Sequence, residues 1–153
     1  MATEEEFEVE TMEFNKLLLA VDDDDDESSH RAFNYACTLA KIYDIPLGIV
    51  SVLETGDLNI YQSLSPDILS ERRSEISAHL NTYVEKAVAF GVTDTEPIIG
   101  EGKPAQVIME EVVPNFKPDL IILGSHDKHG RGHLGSVASE VTRFARQSVI
   151  VVR

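Results

Sequence analysis

A short apolar run followed by a glycine-rich loop constrains this chain more than any other stretch. Leu120 to Leu123 are four consecutive apolar residues, and they lie between the Pro118-Asp119 turn and Gly124. Four residues are too few for a helix, and the flanking turn and glycine are typical of strand ends. An uninterrupted apolar run suits the middle of a parallel sheet, because helices cover both faces of such a sheet. The run therefore predicts a buried parallel strand.

The polar loop after this strand predicts a ligand site. It contains glycines at positions 124, 130, 132 and 135, and a helix is predicted from Ser136 to Arg146. When a glycine-rich loop joins the carboxyl end of a strand to a helix, its backbone N–H groups and the helix dipole favour phosphate. We therefore expect a ligand that carries phosphate at this end of the strand.

Apolar runs and amphipathic stretches alternate along the rest of the chain. Strands are predicted at 16–21, 46–53, 97–99, 120–123 and 148–153. Helices are predicted at 29–43, 65–91 and 136–146, with another that carries Val107 and ends at Pro114. Right-handed crossovers then give an α/β, Rossmann-like fold with an open five-stranded parallel sheet, order 3-2-1-4-5, and helices on both faces. Strands 1 and 4 lie side by side, so the crevice between Asp22 and Gly124 is the predicted topological switch point.

The net charge of −14 comes from two acidic stretches. Six glutamates lie in residues 1–13 and six acidic residues form Asp22–Glu27, which leaves 15 acidic residues against 13 Lys and Arg elsewhere. Residues 1–13 are predicted to be a disordered acidic tail, and residues 14–153 a single domain. A chain without a strong basic field is not expected to bind nucleic acid.

The sequence pattern predicts neither a signal peptide nor a membrane span. Its start, MATEEEFEVE, lacks a basic region and an apolar core, and no run approaches the ~20 apolar residues of a span. The expected location is therefore the cytoplasm. A single cysteine, Cys37, excludes an intrachain disulfide, and its place in an apolar helical pattern predicts buried packing.

Two clusters of side chains have the composition of metal ligands, and the sequence leaves both interpretations open. Asp22–Glu27 is either a solvated loop or a Mg²⁺ or Ca²⁺ site, although its spacing fits no EF-hand loop. His126, His129 and His133 would share one face of a helix and could then bind a transition metal. The glycines at 130 and 132 argue against that helix.

The end of the chain resembles the universal stress protein family. The resemblance lies in a strand, Gly124-Ser125-His126, a loop, Gly135-Ser136-Val137, a helix and the terminal strand SVIVVR. Nucleotide-binding members have Gly, two residues, Gly, nine residues, Gly, and then Ser or Thr. Gly124 and Gly135-Ser136 match this pattern. Asp127 replaces the second glycine, and only the seven residues 128–134 separate it from Gly135.

This resemblance implies a stress-response regulatory protein that binds an adenine nucleotide, ATP, at the switch-point crevice. It implies that Asp22 lies beside the nucleoside and that the backbone of Val52 meets the adenine. A carboxylate at position 127 repels a triphosphate unless a cation such as Mg²⁺ intervenes. Ser136 is expected at the phosphates together with Lys128 or Arg131, and Gly124 and Gly135 are expected to allow close approach. The residues of this segment that are predicted to bind the nucleotide are Gly124, His126, Asp127, Lys128, Gly130, Arg131, Gly135, Ser136 and Val137.

The last strand, Ser148–Arg153, is apolar and is predicted at the edge of the sheet. The resemblance implies a homodimer through this strand, which would cover the edge. The altered loop leaves open a dimeric interaction module that has lost nucleotide binding. A hydrolase triad is not predicted, because no serine lies in a Gly-x-Ser-x-Gly elbow. A weak ATPase that depends on positioning and a metal is the remaining alternative.

Overall fold

Five strands alternate with four helices in the computed structural model, which describes residues 6–22, 27–54, 65–126 and 134–153. The strands are β1 (Leu17–Ala20), β2 (Leu47–Leu53), β3 (Thr95–Glu101), β4 (Leu120–Gly124) and β5 (Ser148–Val152). The helices α1 and α2 are Glu27–Tyr43 and Pro66–Phe90. Helix α3 consists of Pro104–Val107, a π-helical segment Ile108–Val112 and Val113–Phe116, and α4 is Ser136–Phe144.

All four strand pairings are parallel, and the sheet order is β3-β2-β1-β4-β5. This confirms the predicted order 3-2-1-4-5 and the predicted fold class. Strand β1 is central: Leu17 is in register with Leu47 of β2 on one side and with Leu120 of β4 on the other.

Alternate residues of β1 point into two separate cores. Leu17 and Leu19 lie in the core beneath α1 and α2, whereas Leu18 lies in the core beneath α3 and α4. All three side chains are fully buried. Successive side chains of a strand point to opposite faces, so a run of three leucines fits only a strand that is covered on both sides. The uninterrupted apolar run of β1 therefore fixes the three-layer architecture.

Helix α2 begins and ends where its terminal residues predict. Ser65 precedes it in an extended conformation, Pro66 occupies the first helical position, and Gly91 ends it with a left-handed φ of 119°. Proline at the first position loses no hydrogen bond, and glycine adopts positive φ without steric cost. Arg73 on this helix forms a two-point ion pair with Glu101 at the end of β3, with Nη2 and Oε2 3.2 Å apart. This hydrogen bond lowers the pKa of Glu101, because the ionised carboxylate accepts it.

The prediction that the third helix ends at Pro114 is wrong. The helix continues to Phe116 and ends at Lys117, whose φ is 55°. The π-helical segment Ile108–Val112 precedes the proline, and Pro114 then lies in the first turn of the resumed α-helix. The N–H of a residue in the first turn of a helix has no carbonyl partner within that helix. A proline there removes no hydrogen bond, so it does not break the helix.

The third strand is longer than the predicted 97–99. Strand β3 pairs with β2 over seven residues, from Thr95 opposite Leu47 to Glu101 opposite Leu53. Its pattern is only partly apolar because it lies at an edge and most of its side chains are half-buried or exposed. Every helix within the described residues is too short or too polar to cross a membrane.

Because Cys37 is buried, we expect its thiol to be unreactive and the stability of the folded chain to depend on pH in the alkaline range. Its environment raises the pKa of the thiol from 9.0 to about 12, because burial disfavours the thiolate. Between those two pH values the unfolded chain loses the thiol proton and the folded chain keeps it. The free energy of unfolding should therefore fall as the pH rises from 9 to 12.

Urea unfolding at a series of alkaline pH values measures this effect, and Cys37→Ala supplies the control, since it removes the thiol titration. A thiol reagent at pH 8 should modify Cys37 only after the chain is unfolded. Equal modification rates for the folded and unfolded chains would contradict the predicted burial.

Candidate functional site

The short length of β1 creates a crevice at the carboxyl end of the sheet. Pairing with β1 stops at Ala20, opposite Val50 of β2 and Leu123 of β4. Strand β2 continues to Leu53 and β4 to Gly124. A cavity of about 470 Å³ opens above the end of β1 between these two strands. This volume is in the range of small-molecule sites, which lie at such switch points in open α/β sheets.

Seven of the predicted site residues line this one cavity, although they come from four separate segments of the chain. Four others lie outside the described residues, namely Asp127, Lys128, Gly130 and Arg131. The seven that the structure brings together are Asp22, Val52, Gly124, His126, Gly135, Ser136 and Val137.

Val52 and Asp22 border the crevice because each lies beyond the last paired residue of β1. The N–H of Val21 donates to the carbonyl of Val50 (2.9 Å), one residue after the last register pair of the two strands, Ala20 and Val50. Val52 still pairs with Gly100 of β3, while its other side lies next to the cavity. Asp22 is half-buried at the mouth. The pair therefore offers backbone groups and a carboxylate to a ligand above β1.

Gly124 and Gly135 are needed for the protein's own close contacts. A Cβ atom on Gly124 would lie 2.7 Å from Oγ of Ser28 and 2.9 Å from its carbonyl carbon. A Cβ atom on Gly135 would lie 1.8 Å from the carbonyl oxygen of His126. The N–H of Gly135 also donates to the carbonyl of Ser125 (3.1 Å). These two glycines therefore hold α1, the end of β4 and the start of α4 close together.

The first turn of α4 presents backbone donors to the cavity. Gly135 is the N-cap residue, and the first helical hydrogen bond runs from the N–H of Ser139 to the carbonyl of Gly135 (2.9 Å). The N–H groups of Ser136, Val137 and Ala138 precede that bond, and these residues line the cavity. Ser136 is the first helical residue, one position after the N-cap. Backbone N–H groups at a helix start favour an anionic ligand, so the predicted phosphate site stays a prediction at this position.

One wall of the cavity was not predicted from the sequence. Helix α2 contributes Arg72, Glu75, Ile76 and His79. His79 is half-buried, and its ring packs edge-on against Tyr83 with 5.0 Å between centroids. The available signal was Arg72 itself, a charged residue within an otherwise apolar helical stripe. Ser29, Glu54, Pro104 and Ile108 also line the cavity.

The described lining of the cavity is acidic. It contains three carboxylates, Asp22, Glu54 and Glu75, and one guanidinium, Arg72. Its two imidazoles belong to His79 and His126. No group of three or more His, Cys, Asp or Glu side chains in the described residues is arranged to hold a metal ion. His129 and His133 of the predicted histidine cluster lie outside those residues.

A parallel sheet of this order, with a ligand-sized crevice above its central strand, defines a doubly wound, Rossmann-like α/β protein. The chain belongs to the universal stress protein family, whose sequence model matches residues 13–153. A universal stress protein from Staphylococcus haemolyticus is 30% identical over 142 residues, which cover 92% of this chain and 85% of that protein.

Two solved structures share the fold. Universal stress protein UspA from Lactobacillus plantarum superposes with a TM-score of 0.77 and 22% identity, covering 94% of this chain and 100% of that one. A universal stress protein in complex with cAMP superposes with a TM-score of 0.67 and 25% identity. That match covers 92% of this chain and 97% of the complexed protein.

Gly135→Ala should destabilise the domain, because its Cβ would collide with a backbone carbonyl that a side-chain rotation cannot move. We expect a loss of about 1–3 kcal/mol in the free energy of unfolding, measured by urea denaturation. Ser139→Ala is the matched control, since Ser139 is exposed on the same helix. A Gly135→Ala variant with the wild-type urea midpoint would contradict the close contact.

Proposed function

We propose that this protein binds an adenine nucleotide, ATP, in the crevice above β1 and acts as a regulatory binding module in a stress response. The observation that carries the proposal is the convergence of Asp22, Val52 and the first turn of α4 on one cavity. The cAMP complex of a family member supports an adenine nucleotide as the ligand class. The crevice supplies binding groups, and no bond-breaking step is proposed.

Each part of the crevice suits one part of a nucleotide. The side chains of Val50, Val52 and Ile108 provide apolar surface for the base, and the backbone of Val52 provides hydrogen-bonding groups for its edge. The carboxylate of Asp22 can accept hydrogen bonds from ribose hydroxyls. The amides of the first turn of α4 and the hydroxyl of Ser136 face the phosphates. In this proposal, Mg²⁺ offsets the negative charge of the phosphates beside the acidic lining.

Adenosine binding tests the role of Asp22 separately from the phosphates. Asp22→Asn replaces a charged acceptor, so it should weaken adenosine binding about 10-fold. Asp94→Asn is the control, because it removes the same charge from an exposed position immediately before β3, at the opposite end of the sheet. Calorimetry on protein freed of bound ligand measures both. Wild-type protein that binds neither adenosine nor ATP, with or without Mg²⁺, would refute the proposed function.

The acidic lining favours a second candidate, a dimeric interaction module without nucleotide. Three carboxylates face one guanidinium in the described lining, and the sequence places another carboxylate at Asp127. Asp127→Gly separates the two candidates. It should change ATP affinity if the crevice binds nucleotide, upward if Asp127 repels phosphate and downward if it holds a bridging cation. A protein that binds no ATP before or after the substitution, yet dimerises, supports the second candidate.

Dimerisation is proposed to use the outer edge of β5. The N–H of Ser125 donates to the carbonyl of Val152 (2.8 Å), so the backbone groups of residue 152 point towards β4. Backbone groups of successive residues point to opposite sides, and those of Val149 and Val151 therefore point to the outer edge. Among the described strands, β5 pairs with β4 alone. Antiparallel pairing with a second copy would use these groups and cover the edge.

Val151→Pro should dissociate such a dimer, because it removes an outward N–H and leaves the pairing with β4 intact. Val151→Thr keeps the N–H and a branched side chain, so it should remain dimeric. Sedimentation velocity at equal protein concentrations measures both variants. A monomeric wild-type protein, or a dimeric Val151→Pro variant, would rule out this interface.

A further inference from the structure

The wall that α2 contributes to the crevice carries a positive charge that the glycine-loop pattern does not account for. We propose that Arg72 is a phosphate-binding residue, so that the nucleotide is held from α2 as well as from the start of α4. This inference rests on the proposed function, since it names a contact within the same site.

Helix geometry separates Arg72 from its neighbour Arg73. Ile76 is 2% exposed and marks the face of α2 that points into the protein. Arg72 lies one turn before Ile76 on nearly the same face, and it is half-buried in the lining of the crevice. Arg73 is ~100° further round the helix. Its guanidinium contacts Glu101 at the exposed edge of the sheet.

The acidic lining of the crevice makes the positive charge of Arg72 the feature that favours phosphate binding. Its guanidinium is the one permanently positive group among the described residues that line the crevice, and Asp22, Glu54 and Glu75 surround the same space. A phosphate that enters this space adds further negative charge. A guanidinium can offset that charge and donate two parallel hydrogen bonds to phosphate oxygens. Because Arg72 is partly removed from water, solvent screens such a contact less than it screens a surface ion pair.

The position of Arg72 in the sequence supports the same role. It lies in the stripe that packs Leu69, Ile76 and Leu80 against the sheet. An arginine at the margin of an apolar stripe pays a desolvation cost that an apolar residue would avoid. Such departures from the local pattern are typical of functional positions.

Adjacent arginines provide a matched pair of variants. Arg72→Gln removes the charge inside the crevice, and Arg73→Gln removes the same charge one residue away. We expect Arg72→Gln to raise the Kd for ATP about 10- to 100-fold, and Arg73→Gln to change it less than about 2-fold. Neither variant should alter the Kd for adenosine, which has no phosphate. Arg72→Lys keeps the charge without the planar fork and should give an intermediate Kd.

Calorimetry with ATP and adenosine, on protein freed of copurified ligand, distinguishes the outcomes, and circular dichroism verifies that each variant is folded. Wild-type affinity for ATP in Arg72→Gln overturns the inference while the proposed function stands. An equal loss for ATP and adenosine also overturns it, because the contact would then involve the nucleoside. Failure of the wild type to bind either compound refutes the proposed function itself. If Arg72→Gln is unfolded, the comparison of Arg72→Lys with wild type decides the question in the same way.

Discussion

The burial of β1 on both faces and both edges is the constraint on which the rest of the structure depends. Its leucines lie at the centre of two cores, and its backbone pairs with β2 and β4 at the same time. Each fully buried leucine contributes about 1.5–3 kcal/mol to the free energy of unfolding relative to an exposed one. Removal of this strand would therefore destabilise both cores. The same strand is also shorter at its carboxyl end than the two strands beside it. Because it ends at Ala20 while its neighbours continue, the central strand of the sheet also forms the floor of the crevice.

The crevice is formed by the same helices and strands that form the two cores, and not by a separate binding domain. Its walls are the starts of α1, α3 and α4, the middle of α2 and the ends of β2 and β4. The same four helices cover the two faces of the sheet. A ligand bound there would contact both cores at once, so its binding free energy would add to the stability of the whole domain. A change in the packing of either core would in turn alter the shape of the site.

Much of the fold could be predicted from the sequence because its signals are local. The apolar runs at 17–20 and 120–123 indicate strands whatever surrounds them, and Pro66 and Gly91 mark the ends of α2 by backbone geometry alone. The continuation of α3 through Pro114 could not be predicted this way, because it depends on a π-helical turn with no distinctive composition. The α2 wall was missed for a related reason. Which residues of a long helix face the crevice depends on how the helix is rotated over the sheet. Residues 75 and 79 have no spacing that distinguishes them from other polar positions, whereas Arg72 stands out by its place in the apolar stripe.

The two glycines at the crevice also bear on how related sequences should be compared. Gly124 and Gly135 match the nucleotide-binding pattern, yet the atoms that exclude a side chain at these positions belong to Ser28 and His126 of the protein itself. A family member that had lost its ligand would keep both glycines for as long as it kept this packing. Their presence in a sequence is therefore diagnostic of the close approach of Gly124 to Ser28 and of Gly135 to His126. Evidence about ligand binding has to come from residues that packing leaves free to vary.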